Sequence, residues 1–217
     1  MKNCPSCNAP VNEDDVFCTY CGYKFPTNHE KSSKQIIIII IAILIASICI
    51  GVGKYIYDYI ACENYKYNVE DCAYTMIQGA ADAEDACNTI VSVWNNSIWQ
   101  VEDNKTDKYT IDPSTGEFYS DFNDSLNNLF SDDDFVDDLN DINDNYEDVN
   151  DRIKELQNPP KGCEQLHDAF MDFYDEYYEL MDCALDPQGS LSTYSDDFND
   201  ADKKAAKYYE KLQVYFD

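Results

Sequence analysis

A run of seventeen uncharged residues, Ile36 to Val52, constrains this chain more than any other feature of its sequence. It opens with six consecutive isoleucines, and its only hydroxyl group is that of Ser47. A helix buried in a soluble domain keeps a polar face, whereas this run is apolar on every side. With its flanks, at about 1.5 Å per residue, it reaches across the ~30 Å of bilayer hydrocarbon. The run therefore predicts one transmembrane helix over residues 36–53.

The net charge of −28 lies entirely on one side of this predicted span. Residues 1–53 carry four lysines and four acidic residues, whereas residues 54–217 carry 11 basic and 39 acidic residues. Such a balance argues against nucleic acid or anionic lipid as the partner of residues 54–217, because binding phosphate needs Lys and Arg. The same part holds most of the 18 Tyr and 10 Phe and both Trp, which is enough apolar surface to fold.

Two Cys-x-x-Cys pairs precede the run, Cys4 with Cys7 and Cys18 with Cys21, separated by ten residues. Four thiolates at this spacing suit one tetrahedral zinc ion; two disulfides or a redox-active pair are the alternatives. The segment that holds these four cysteines is too short to bury a sufficient core. A structural zinc ion would therefore supply much of its folding free energy. His29 lies beyond the fourth cysteine and is interpreted as a linker residue.

The segments NCPSCNAPV and FCTYCGYKF resemble the short zinc ribbon found at the N-terminus of many bacterial membrane proteins. The family usually has Gly where this chain has Asn8, but Asn tolerates a left-handed backbone. The resemblance implies a zinc ribbon over residues 1–25, a linker over residues 26–35, one transmembrane helix and an extracytoplasmic domain. The ribbon has no basic patch, so we favour a structural or protein-docking role over nucleic-acid binding.

The orientation of the predicted span follows from two signals. Lys24, Lys31 and Lys34 precede the run, whereas Lys54 and Lys66 follow it, which is a slight positive-inside bias. Zinc-binding thiolates also persist best in a reducing compartment. We therefore expect a single-pass plasma-membrane protein with a cytoplasmic N-terminus and an extracytoplasmic C-terminal domain.

Residues 54–217 show helical periodicity, with apolar residues at alternating spacings of three and four. Four such stripes run from Cys72 to Ile98, from Phe135 to Leu156, from Cys163 to Ala184 and from Tyr194 to Tyr215. A further turn around Phe122 to Leu129 precedes a break near Ser131, and the loop from Val101 to Glu117 holds a hairpin or stays open. The fold class is mainly α, with an antiparallel bundle of about four helices.

Five cysteines outside the run are candidates for disulfide bonds. If the first and third stripes run parallel, helix rise pairs Cys72 with Cys163 and Cys87 with Cys183, and Cys62 is the substitute for Cys72. Five thiols leave one unpaired in any scheme. The alternative is that all five are small buried hydrophobic residues in a reducing setting.

A second resemblance rests on GAADAEDA, VWNNSIW, LQNPPKGCEQL and ALDPQGSLSTYSDDFN. These words are similar to helical extracytoplasmic domains of uncharacterised membrane-anchored proteins from Gram-positive bacteria. The resemblance covers much of residues 76–200 and implies no activity.

Catalytic or metal chemistry has little support in residues 54–217. His167 is interpreted as a boundary residue of a helix, and no nucleophile elbow or phosphate loop is present. Asp141-x-Asn143-x-Asn145 begins like a calcium loop but has Tyr146 where glycine is needed. The acidic residues from Asp132 to Asp144 are therefore a solvated face, with weak divalent-cation binding as the alternative.

Trp99 lies one step off the first stripe, so we expect it to pack at the helix end, with an exposed binding anchor as the alternative. The sequence thus predicts no enzyme. It favours a membrane protein whose extracytoplasmic helical domain binds or senses a ligand or protein partner. The alternative is a scaffold whose ribbon docks a cytoplasmic complex at the membrane.

Overall fold

The computed structural model describes residues 1–26 and 29–216, with side chains for residues 1–26 and 37–216. The chain divides into two compact units, Met1–Tyr57 and Asp58–Asp217, and we call the second unit the helical domain. Of the predicted linker, residues 27 and 28 lie outside the described residues, and the first helix already begins at His29. The described parts contain two short strands and six helices.

The N-terminal residues form a small ribbon. Strand β1 (Lys2–Asn3) pairs antiparallel with β2 (Pro10–Val11), with Lys2 opposite Val11 and Asn3 opposite Pro10. A single bridge joins Phe17 to Lys24 in the second half of the ribbon. Its small core is formed by Cys4, Val11 and Cys18, with Phe25 packed against them.

Helix α1 (His29–Trp99) contains the isoleucine run. Within Ile37–Trp99 it includes a stretch that is long and apolar enough to cross a membrane, and none of that stretch is buried in protein. Ile38, Ile48 and Ile50 each expose more than 60% of their surface. In water this surface would carry a large cost, at about 25 cal/mol per Å² of exposed apolar area.

Five more helices complete the helical domain. They are α2 (Asp107–Thr110), α3 (Phe122–Leu129), α4 (Asp133–Leu156), α5 (Glu164–Leu185) and α6 (Leu191–Gln213). The predicted break near Ser131 is confirmed, because α3 ends at Leu129 and α4 begins at Asp133. The side chain of Asp132 caps α4, and Ser190 with Thr193 forms a capping box on α6.

Three contacts show the direction of α4 relative to α1. The Tyr65 hydroxyl donates to the carbonyl oxygen of Leu156 at 2.9 Å, and Arg152 forms an ion pair of 2.8 Å with Asp71. Farther along α1, the amide of Asn145 donates to the carbonyl oxygen of Thr75 at 3.0 Å. Because the α4 numbers fall as the α1 numbers rise, the two helices are antiparallel along this contact.

The apolar stripes of α1, α4, α5 and α6 meet in one core. Its largest fully buried side chains include Tyr177, Phe170, Phe173 and Met76. The loop between α2 and α3 forms a small hairpin, in which Ile111 bridges to Phe118 around a turn closed by Gly116. Gly116 has a φ of 73°, which glycine adopts without strain.

Candidate metal centre

Each Cys-x-x-Cys pair of the ribbon lies on a tight turn. The N–H of Asn8 donates to the carbonyl oxygen of Cys4, and the N–H of Gly22 donates to that of Cys18, both at 2.8 Å. Asn8 and Gly22 follow the first cysteine of their pairs by four residues and have φ values of 63° and 75°. Asn8 therefore takes the left-handed conformation expected for it.

The four sulfur atoms converge within 4.8 Å of one another. The Sγ atoms of Cys4 and Cys21 are 3.6 Å apart, and those of Cys7 and Cys18 are 3.7 Å apart. Tetrahedral zinc with Zn–S bonds of about 2.3 Å requires sulfur atoms roughly 3.8 Å apart. The donor set and its spacing therefore fit one zinc ion, with Cys4 and Cys18 buried and Cys7 and Cys21 exposed.

The thiols of the site differ in acidity. Burial acts to raise the pKa of Cys4, but hydrogen bonds from the backbone of Cys7 and Ser6 outweigh it and bring the pKa to about 7. The backbone of Ala9 acts to lower the pKa of Cys7, but the neighbouring Cys21 thiol and burial raise it to about 12. Zinc holds its ligands as thiolates, so its binding releases protons from this site.

A disulfide bond joins Cys62 on α1 to Cys163 at the start of α5, with their Cα atoms 5.9 Å apart. The expected pairing of Cys163 with Cys72 is therefore wrong, and the predicted substitute Cys62 takes its place. One turn after Cys163, His167 on α5 contacts Tyr65 on α1, with Nδ1 of His167 2.7 Å from the Tyr65 hydroxyl. This contact places Cys163 beside Cys62, one turn before Tyr65. Cys72 lies about 15 Å farther along α1.

Cys72, Cys87 and Cys183 are free thiols, so the expected pairing of Cys87 with Cys183 is also wrong. Cys72 and Cys87 are fully buried in the core, so these two cysteines are small buried hydrophobic residues, as the alternative interpretation expects. Burial raises the pKa of Cys72 and of Cys87 to about 12. Cys87 and Cys183 both lie against Tyr194, whose hydroxyl donates to the carbonyl oxygen of Cys183 at 3.0 Å.

Trp99 does not pack at the helix end as expected. It exposes 70% of its surface, beside Ile98, which is 42% exposed. Trp94 instead stacks on Phe122 at 5.8 Å between ring centroids. The first stripe therefore ends one turn earlier than its periodicity indicates, and Trp99 remains a candidate anchor for a binding surface.

The other residues singled out in the sequence have structural contacts. His167 is half-buried at the edge of α5, as expected for a boundary residue. Asp132 accepts hydrogen bonds from Lys108 and from the N–H of Phe135, which hold its pKa below the usual value. Asn145, within the calcium-like segment, contacts Thr75 and Tyr177 through its amide group.

Sequence reasoning missed one feature of the surface, a groove lined by Tyr67, Tyr74, Tyr209 and Phe216. Tyr67 and Tyr74 lie seven residues apart on α1, so they share a face that the core stripe does not use. Two aromatic residues at that spacing on the polar side of an amphipathic helix were the available signal.

Comparison with known proteins concerns the ribbon. Residues 1–25 match the model of a family described as a zinc-ribbon domain. No curated protein matches the chain, and no solved structure matches it. The family match and the sulfur geometry together assign one structural zinc ion to Cys4, Cys7, Cys18 and Cys21.

Proposed function

We propose that the chain is a single-pass protein of a bacterial plasma membrane, with its zinc ribbon in the cytoplasm and its helical domain outside. The acidic helical domain, an antiparallel bundle of about four long helices, is a binding or sensing module. It carries out no chemistry of its own. The ribbon is a small structural domain at the cytoplasmic end of the span.

One observation carries this proposal: the two sides of the isoleucine run have opposite redox requirements. The ribbon needs four free thiols for zinc, which are kept in a reducing compartment. The helical domain contains the Cys62–Cys163 disulfide, which persists in an oxidising one. An apolar stretch of α1 that is not buried in protein separates them. A membrane crossed by that stretch satisfies both requirements.

The charge distribution supports the assignment of binding to the helical domain. Residues 54–217 carry 11 basic and 39 acidic residues, and both tryptophans lie there. Net charge of this size steers ligands of opposite charge toward a surface. The exposed Trp99 at the end of α1 adds an aromatic residue of the kind that interfaces favour.

The topology is tested with two exposed aspartates changed to cysteine in the full-length protein, Asp14→Cys in the ribbon and Asp137→Cys on α4. A membrane-impermeant maleimide is applied to intact cells and then to permeabilised cells. We expect Asp137→Cys to react in intact cells and Asp14→Cys to react only after permeabilisation. The unmodified protein measures labelling of the native thiols. The reverse pattern, or equal labelling of both variants in intact cells, contradicts the proposal.

A scaffold that docks a cytoplasmic complex is the second candidate, and the ribbon surface favours it. Val16, Phe17 and Tyr20 expose 54%, 52% and 71% of their surfaces. A domain of 25 residues that exposes three large apolar side chains is suited to contact another protein.

The two functions are separated by a photoreactive amino acid placed at Trp99 or at Phe17 in living cells. A binding module outside the cell gives crosslinks from position 99 to extracytoplasmic molecules. A scaffold gives crosslinks from position 17 alone, to cytoplasmic proteins. The second pattern, together with retained membrane insertion, would replace the binding module by the scaffold.

A further inference from the structure

A groove of about 600 Å³ opens between α1 and the C-terminal part of α6. We call it the tyrosine groove and define it by Tyr67, Glu70, Asp71, Tyr74, Tyr209 and Phe216. Its volume lies in the range of sites for small ligands. All of its lining residues belong to the helical domain.

The aromatic rings of the groove are available to a ligand. Tyr67 and Tyr74 expose 68% and 60% of their surfaces. Tyr209 packs on the buried Phe173 with ring centroids 5.3 Å apart, and this contact holds the Tyr209 ring in place. Within the described part of the chain, Tyr67, Tyr74 and Phe216 pair with no other aromatic ring. Tyr67 and Tyr74 therefore have no aromatic neighbour to occupy their faces, whereas Phe216 also packs against the core.

The groove also carries a negative charge without an internal partner. Glu70 lies between Tyr67 and Tyr74 at spacings of three and four residues, so the three side chains share one face of α1. Asp71 is already paired with Arg152 at 2.8 Å, whereas Glu70 forms no ion pair among the described residues. Lys211 on α6 lies over the ring of Tyr208, 3.8 Å from its centroid, and does not line the groove.

We propose that the tyrosine groove binds a small soluble organic cation that bears a substituted ammonium group. Aromatic faces attract such cations and also contact their methyl groups, while a nearby carboxylate balances the charge. A hydrated metal ion instead needs several clustered oxygen ligands. Among the described residues, the only clustered metal-ligand group is that of the ribbon cysteines. The inference rests on the proposed function, because it names the ligand class of that binding module.

The test uses the full-length protein in a detergent without choline headgroups, with isothermal titration calorimetry as the readout. Choline is the probe, and 3,3-dimethylbutan-1-ol, which has the same shape without the charge, is its matched control. We expect saturable binding of one choline per chain. We expect the neutral alcohol to bind at least about tenfold more weakly, since it lacks the attraction to the rings and to Glu70.

Variants locate the binding in the groove. Tyr67→Ala and Glu70→Gln should each weaken choline binding about three- to tenfold, because each removes one electrostatic contact. Tyr67→Phe keeps the ring and should bind within about twofold of the unmodified protein. Tyr59→Ala and Glu63→Gln are the controls, because they remove an exposed ring and an exposed charge from α1 outside the groove and should change nothing.

Three results would overturn the proposal: no saturable choline binding up to about 50 mM, equal binding of the two probes, or equal losses in groove and control variants. If choline does not bind while Asp137→Cys is labelled from outside and position 99 crosslinks, the groove proposal alone is lost. If choline binds while Asp137→Cys is protected in intact cells, the extracytoplasmic function is lost and the groove remains.

Discussion

The hydroxyl group of Tyr177 on α5 donates a hydrogen bond of 2.7 Å to Oδ1 of Asn145 on α4. The Nδ2 group of the same amide donates to the carbonyl oxygen of Thr75 on α1 at 3.0 Å. A Cβ atom added at Gly79 would overlap this amide group. One polar side chain thus joins three helices, and its position requires a glycine opposite it on α1. Burial raises the pKa of Tyr177, so its hydroxyl stays a donor.

We expect Gly79→Ala to lower the free energy of unfolding of the helical domain by about 1–3 kcal/mol, because the added methyl group displaces Asn145 and breaks its contacts. Thermal unfolding followed by circular dichroism measures the change. Gly53→Ala is the control, since no atom lies within 4 Å of a Cβ at that position of α1. Alanine is the better helix former, so unchanged or increased stability of Gly79→Ala would show that the close approach is absent.

The sequence predicted the helices better than it predicted their contacts. Periodicity located α4, α5 and α6, because a buried apolar stripe is a local property of the sequence. The disulfide partner of Cys163 depends on where α5 starts relative to α1. That start depends on the turn after Leu156 and on contacts such as Tyr65 with His167, which no local pattern encodes.

The disulfide should stabilise the helical domain substantially, because Cys62 and Cys163 are separated by 101 residues. A closed loop of this length restricts the unfolded chain, and native disulfides of this kind contribute about 2–4 kcal/mol. We expect the double variant Cys62→Ser/Cys163→Ser to lose stability of that order in chemical denaturation. Cys183→Ser should lose little, since Cys183 is a free thiol. Equal stability of the double variant and the unmodified protein would contradict the bond.

Asp82 should make the helical domain less stable as pH rises. Asp82 is exposed, but partial desolvation against the helix surface, followed by the charges of Asp85, Asp141 and Asp138, raises its pKa above the ordinary 3.8. The folded protein therefore binds this proton more tightly than the unfolded chain, and stability falls as pH rises through the raised pKa. We expect Asp82→Asn to unfold at a higher temperature at pH 7, with the difference from the unmodified protein shrinking toward pH 4.

The measurement is the unfolding temperature of both proteins across this pH range. Asp144→Asn, which removes another exposed negative charge, from α4, is the control for a change in net charge alone. A difference for Asp82→Asn that stays constant, or grows as pH falls, would reverse the sign of the argument.

Zinc binding by the ribbon should depend steeply on pH. Four thiols must lose their protons to bind the metal, and the pKa of one of them, Cys7, is raised to about 12. We expect one zinc ion per chain at pH 7.5 and a fall in affinity of at least about tenfold for each pH unit below 7. Metal analysis and competition with a chelator measure both. Cys18→Ser should lose the ion, whereas Cys49→Ser should retain it.

The zinc ligands were predictable because two Cys-x-x-Cys pairs indicate both the type of donor atom and the local turn that presents it. Surface features were less predictable. Ile98 and Trp99 lie at the end of α1, where the core no longer covers its side chains. A stripe in the sequence does not show where the helices that pack against it end. The tyrosine groove needs Tyr209 and Phe216 beside α1, which is a tertiary relationship.

The central claim, that one chain holds its ribbon in a reducing compartment and its helical domain in an oxidising one, is tested most directly by the redox state of the native cysteines. Cells are quenched in acid, free thiols are alkylated, and peptides of the full-length protein are analysed by mass spectrometry without reduction. We predict alkylated Cys4, Cys7, Cys18 and Cys21, together with a disulfide-linked peptide pair containing Cys62 and Cys163. Alkylated Cys62 and Cys163, or disulfides among the ribbon cysteines, would contradict the account.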